Sequence, residues 1–157
     1  MSKTTPATLA LSKANIPFTL ATYDYDPNAE RVGLQAAEAI GVPPGEVFKT
    51  LMLELDGKPV CAIVPSDEEV NMKKLAAALG GKSAHMMKPA DAERLTGYKV
   101  GGISPLGPRK RVPTALDELA MLYDEIFLNG GQRGLQIRIK PADLVSVLDC
   151  KVADLTR

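Results

Sequence analysis

Two neighbouring stretches in the middle of the chain show the two elementary periods of a folded backbone. In "EVFKTLMLELDGKPVCAIVP", residues 46–65, two largely apolar runs flank Asp56-Gly57. A two-residue turn of that type between apolar runs predicts a β-hairpin. In "NMKKLAAALGG", residues 71–81, Met72, Leu75, Ala76 and Leu79 recur at helical spacing and Gly80 follows. That pattern predicts a short helix with one apolar face and a glycine stop.

The flanking segments read the same way. "TPATLALSKANIPF" predicts an opening helix with Thr5 as N-cap and Pro6 at the first helical position. "PFTLATYDYDP" predicts a strand running into a turn, and "GLQAAEAIGVPP" a helix stopped by Gly41 and Pro43. "KPADAERLTG" and "KPADLVSVLD" each open on a proline that suits a first helical turn. "RVPTALD", "DEIFLN" and the alternating "LQIRIK" predict further strands. Helices and hairpin-linked strands are interspersed. The expected fold class is therefore α+β, a single domain over residues 1–157, with a mixed, curved, barrel-like sheet and short flanking helices.

Composition narrows the functional classes. The 157 residues include 45% apolar residues, enough for a core, but only 4% aromatics and no Trp. Nineteen basic and nineteen acidic side chains cancel, which argues against wrapping along duplex nucleic acid and leaves room for a local basic patch. Cys61 and Cys150 lie far apart with no metal-ligand spacing, as expected of buried thiols in a reducing compartment. No cofactor or metal is expected. There is no signal peptide or membrane-length apolar run, so the expectation is a cytoplasmic protein without membrane attachment.

Four features could carry chemistry. Strand alternation puts Lys49 on the more apolar face of its strand, with Val47, Leu51, Leu53 and Leu55. Such a lysine either snorkels from a strand end or sits at the floor of a pocket, facing an anion or a polarised carbonyl. "GGISPLGP", residues 101–108, is either a plain connection or a wall of bare backbone whose amides face a ligand. "NGGQRG", residues 129–134, is either a hairpin turn or the facing lip of that pocket, with Asn129, Gly130 and Gly131 in contact with substrate. Arg109, Lys110 and Arg111 are either a solvated surface or a grip on RNA phosphates. His85 is the only histidine, and no nucleophile–base pair or dinucleotide fingerprint is present. Parts of this kind suit an already activated ester better than an amide.

"TYDYDP", "VFKTLML", "TGYKVGGISPLGPRKRVPT" and "GGQRGLQI" occur in the order and spacing of the YbaK/EbsC-type family, related to the editing domain of bacterial prolyl-tRNA synthetases. The resemblance covers essentially the whole chain and implies that family's fold. It also implies a free-standing trans-editing deacylase whose typical substrate is cysteine wrongly esterified to proline tRNA. Its partners would be the tRNA acceptor end and prolyl-tRNA synthetase. By this resemblance Lys49 is the essential lysine, Tyr23 a pocket tyrosine, and Gly101, Gly102, Ile103, Ser104 and Pro105 the GxxxP loop. Asn129 stands where a small hydroxyl residue is familiar, and Gln136 where an acidic one is.

The implied mechanism uses the cargo's own thiol as nucleophile. The Gly101 and Gly102 amides would meet the oxyanion or the substrate amine, and Lys49 a phosphate or the developing charge. Deacylation of alanine or another small amino acid, and non-catalytic binding of tRNA or synthetase, stand as alternatives.

Overall fold

A computed structural model of the chain describes residues 4–28 and 32–157. Its first helix, α1 (Pro6–Lys13), begins where the caps predict. Thr5 Oγ1 accepts from Thr8 N–H at 3.1 Å, and Thr8 Oγ1 accepts from Thr5 N–H at 2.9 Å. Two orphan donors of the first turn are thus satisfied reciprocally, with threonine in the place usual for Glu. Thr5 Oγ1 also donates to the Gly130 carbonyl at 2.6 Å, which ties the helix start to the second glycine turn.

The predicted hairpin is β2 (Phe48–Leu55) and β3 (Lys58–Pro65), paired antiparallel from Phe48↔Pro65 to Leu55↔Lys58. β4 (Ala84–Met86) extends it on the β2 side. On the other side β5 (Thr114–Asp117) and β8 (Lys151–Ala153) run parallel to it, making a mixed five-stranded sheet in the order β4-β2-β3-β5-β8. A second, antiparallel sheet has the order β1-β7-β6, from Thr19–Thr22, Leu135–Ile139 and Ile126–Asn129. The sheets meet at a single parallel bridge, Val47↔Phe127. The expected curved sheet is therefore two sheets hinged at one point, and they do not close into a barrel.

Three apolar clusters follow. The largest lies between the sheets, where Phe48, Met52, Ile63 and Leu116 meet Leu128, Ile137 and Ile139, with Leu11 and Leu144 from the helices. The second packs Leu53, Leu55, Val60 and Val64 under Leu75 of α3 (Met72–Ala78). The third packs Val47 and Phe127 under Ala36 and Ala37 of α2 (Val32–Ile40). The helices α4 (Pro89–Thr96) and α5 (Pro141–Leu148) complete the fold, each opening on its predicted proline.

Candidate active site

The position of Lys49 follows from the way β2 is covered. Along one face of the strand, Val47 belongs to the cluster under α2, while Leu53 and Leu55, with Leu51 against them, belong to the cluster under α3. Lys49 falls between the two and is half-buried, belonging to neither cluster among the described residues. It lines an open hollow of about 650 Å³ together with Glu69, Asn71, Lys73, Met86 and Arg157. A lysine in such a hollow can bury its stem on apolar neighbours and still present its ammonium to a ligand. The parallel bridge Val47↔Phe127 adds a second constraint. Alternation from that bridge puts Lys49 and Asn129 on the same face of their strands, but Asn129, Gly101 and Tyr23 do not line the Lys49 hollow, and Tyr23 lines another with Gln132, Arg133 and Gly134.

Asn129 holds the two glycine turns together. Its Nδ2 donates to the Gly101 carbonyl at 3.1 Å, and its Oδ1 accepts from Gly131 N–H at 2.7 Å and Gln132 N–H at 3.2 Å. Both Oδ1 lone pairs are committed, so the side chain braces the site from 8% exposure. The backbone approach it maintains is close. Gly101 has φ +90, and a Cβ there would lie 2.5 Å from the Tyr25 hydroxyl. A Cβ on Gly102 would lie 2.8 Å from the backbone nitrogen of Arg133. Only glycine fits either place without a shift. Arg133 reinforces the contact, donating from Nε to the Val100 carbonyl at 2.8 Å with its guanidinium 5.3 Å above the Tyr25 ring.

The amides of the loop are not equivalent. Gly102 N–H is spent on the Lys99 carbonyl at 2.8 Å. Gly101 N–H has no acceptor among the described residues. The expected pair of ligand-facing amides thus reduces to Gly101 at this end of the loop.

Tyr23 lies on the same side of the three-stranded sheet as Gln136. Pairing of Ala21 with Gln136 and the Tyr23 N–H bond to the Gly134 carbonyl at 2.9 Å set that register. Burial lifts the Tyr23 phenol above its ordinary pKa, and the neighbouring Tyr25 adds to the rise. Gln136 and the Gly134 backbone pull weakly the other way. Tyr23 therefore stays protonated at neutral pH. Gln136 is close enough to bias it, yet neither the Tyr23 hydroxyl nor Gln136 Oε1 makes a hydrogen bond of good geometry, and both atoms are buried. Gln136 is 2% exposed. Unpaired buried polar atoms are costly in a fold and acceptable where a ligand completes them.

Several expected residues lie elsewhere. Ser104 is 1% exposed, and its Oγ accepts from Leu106 N–H at 3.2 Å. Ser104 and Pro105 line a separate hollow of about 270 Å³ together with Lys110 and Arg111, above Met52 and Cys61, and Ile103 packs against the core between the sheets. The cationic run splits. Arg111 caps α5, with Nη2 donating to the carbonyls of Val147 at 3.2 Å and Leu148 at 2.7 Å. The Arg109 stem lies over Gly97, and Arg109 and Lys110 line a third hollow beside Glu54 and the Arg94–Asp91 ion pair. None of the three lines the Lys49 hollow.

Cys61 is fully enclosed, and burial pushes its thiol up to about 12, so it is no nucleophile at neutral pH. Among the described residues no group of three or more His, Cys, Asp or Glu could hold a metal ion, and no helix is long and apolar enough to cross a membrane.

Tyr25, Arg133, Lys73 and Arg157 stand out only in the structure. Tyr25 carried a signal in its two-residue spacing from Tyr23. The others are brought near the site by turns and long-range packing.

Residues 26–147 match the family model of the aminoacyl-tRNA editing domain. The chain is 40% identical over 121 residues to EbsC of Enterococcus faecalis, named as a candidate Cys-tRNA(Pro)/Cys-tRNA(Cys) deacylase, covering 76% of this chain and 74% of that one. It is 26% identical over 152 residues to the multifunctional Ser/Thr-tRNA deacylase ProXp-y of Escherichia coli, covering 94% and 89%. It superposes with a TM-score of 0.81 on a candidate trans-editing enzyme for prolyl tRNA synthetase, covering 97% and 95% at 24% identity, a likeness of fold.

Proposed function

Because the chain belongs to the aminoacyl-tRNA editing domain family and is an aminoacyl-tRNA hydrolase, we propose that it removes cysteine wrongly esterified to proline tRNA. The identity to EbsC supports this choice of cargo. The observations that carry the site assignment are the half-buried Lys49 on the apolar face of β2 and the Asn129 brace that joins the glycine turns.

In this reading the cargo is its own nucleophile. A thiol with an ordinary pKa near ~8.5 is partly ionised at neutral pH, whereas a serine hydroxyl is not. The thiolate sulfur bonds to its own carbonyl carbon, and the ester C–O bond breaks. The ribose oxygen takes a proton from water and leaves. Water then opens the four-membered thioester, forming a C–O bond and breaking C–S, and free cysteine departs with its thiol restored. Lys49 and the Gly101 amide stabilise the negative charge on the carbonyl oxygen as the tetrahedral centre forms. Gln136 Oε1 and the Tyr23 oxygen, both without a donor, accept from the substrate ammonium. Discrimination then rests on reactivity, since a pocket alone separates serine from cysteine only weakly. Choice of tRNA is assigned to prolyl-tRNA synthetase acting alongside.

The test is release of labelled amino acid from Cys-, S-methylcysteinyl-, Ala-, Ser- and Thr-tRNA, with and without that synthetase. Cysteine should be released, and methylation of its sulfur should abolish turnover. Undiminished cleavage of the methylated conjugate overturns the mechanism. A second reading, hydrolysis of serine or threonine esters, is favoured by the near full-length similarity to ProXp-y. Release of those residues in preference to cysteine would establish it.

A further inference from the structure

Where the chain holds the RNA itself is a separate question, because Arg111 is committed to α5 and Arg109 and Lys110 lie away from the Lys49 hollow. Arg111 closes α5, Arg109 lies over Gly97, and the hollow lined by Arg109 and Lys110 also contains the carboxylates of Glu54 and Asp91. The hollow around Lys49 has a different balance. Lys49, Lys73 and Arg157 line it, with Glu69 the only carboxylate among the described lining residues. Lys73 and Arg157 are exposed, and neither side chain has an ion pair or hydrogen bond among the described residues. They come from distant parts of the sequence. Lys73 lies in the first turn of α3, and Arg157 is brought there by its N–H bond to the Glu69 carbonyl at 3.3 Å. The hydrogen bonds of Lys74 Nζ to Asp154 and to the Thr156 carbonyl, at 2.6 and 2.7 Å, fasten that segment to α3.

We propose that Lys73 and Arg157 form a phosphate-binding rim at the mouth of the Lys49 hollow, gripping the phosphodiester backbone of the single-stranded acceptor end. This rests on the deacylase reading and adds a division of labour to it. The rim positions the RNA without reading its bases, and Lys49 is left for the ester. A chain with no net charge then binds RNA through one local surface rather than its overall field.

The experiment is titration of the parent chain and variants with deacylated proline tRNA across a salt series. In this assay no ester is cleaved, so its outcome is independent of which amino acid is hydrolysed. Parent affinity should fall with salt. Lys73→Ala/Arg157→Ala should bind about 10-fold more weakly at low salt, with its log–log slope reduced by about 1.4, as for two lost single-strand phosphate contacts. Lys73→Gln/Arg157→Gln, which keeps part of each stem, should behave likewise, and thermal melts confirm that both variants fold. Parental affinity and slope in these variants overturn the proposal. So does a larger loss in Arg109→Ala/Lys110→Ala, or the absence of salt-dependent binding in the parent. A parent that binds tRNA through the rim yet releases no amino acid would refute the deacylase reading and leave the rim standing.

Discussion

At the scale of single residues, the informative feature is a cation on an apolar strand face. Lys49 was legible because alternation needs only the local sequence, and the strand has the faces that alternation predicts. What surrounds Lys49 is not legible, because the hollow it lines joins β2 to the start of α3, to Met86 and to Arg157, which lie far apart in the sequence. Gln136 shows the same limit. The sequence marks it as an amide where the resembled family has an acidic residue, and its unpaired oxygen becomes visible once β7 is set against β1 and Tyr23. Asn129 carries, besides the substrate contact expected of it, a bracing role that only the structure shows, through its hydrogen bonds between the glycine turns. For Lys49 itself the expected outcome is sharp. Lys49→Met keeps an apolar stem and removes the charge, so the far-UV circular dichroism spectrum should match the parent while kcat/KM for deacylation falls about a hundredfold. That corresponds to ~3 kcal/mol of transition-state stabilisation, typical for one charge-stabilising donor. Parental kcat/KM in a folded Lys49→Met variant would remove Lys49 from the chemistry.

At the scale of elements, caps and turns were read well and short strands were not. Thr5, Pro6, Pro89 and Pro141 mark helix starts by local chemistry, and α1, α4 and α5 begin where they say. β4 and β8 have three residues each, too few for a period to show, and they are strands only through their neighbours. The parallel pairing of β3, β5 and β8 joins segments far apart in sequence, which no local pattern encodes. Asp56 shows how a local signal can conceal a tertiary role. The sequence predicts it as half of a hairpin turn, and its φ of 51 suits one. Its carboxylate also accepts from Lys82 N–H at 3.1 Å and Ser83 N–H at 2.9 Å, holding the approach to β4 against the hairpin. Asp56→Ala should therefore cost more than a turn residue alone, about 1–2 kcal/mol for two exposed hydrogen bonds. The urea midpoint should fall at unchanged m-value. Asp56→Asn, which retains one acceptor, should recover part of the loss, and full parental stability in Asp56→Ala would deny the carboxylate that role.

At the scale of the whole molecule, two sheets enclose one large core, and the core includes ionisable groups held in their neutral form. Cys61 and Tyr98 both belong to it, and burial pushes each pKa up to about 12. In the unfolded chain a thiol titrates near ~8.5 and a phenol near ~10. For an acid whose folded pKa is raised, the unfolded state loses its proton first as pH rises. Above pH ~8.5 the native state then binds more protons than the unfolded one, and stability falls with pH until the folded groups also ionise. The chain should hold its stability from neutrality to about pH 8 and lose it progressively between about pH 9 and 12. For Cys61, fully enclosed, the slope in that window approaches ~1.4 kcal/mol per pH unit. Urea unfolding at pH 7.5, 9 and 10.5 measures it. Cys61→Ala lowers stability at every pH by the volume it empties, but removes one titrating group, so its stability should decline less steeply above pH 9 than the parent's. Parallel declines in the two proteins would mean that the thiol is not held neutral by the core and that the hollow it lines admits solvent to it.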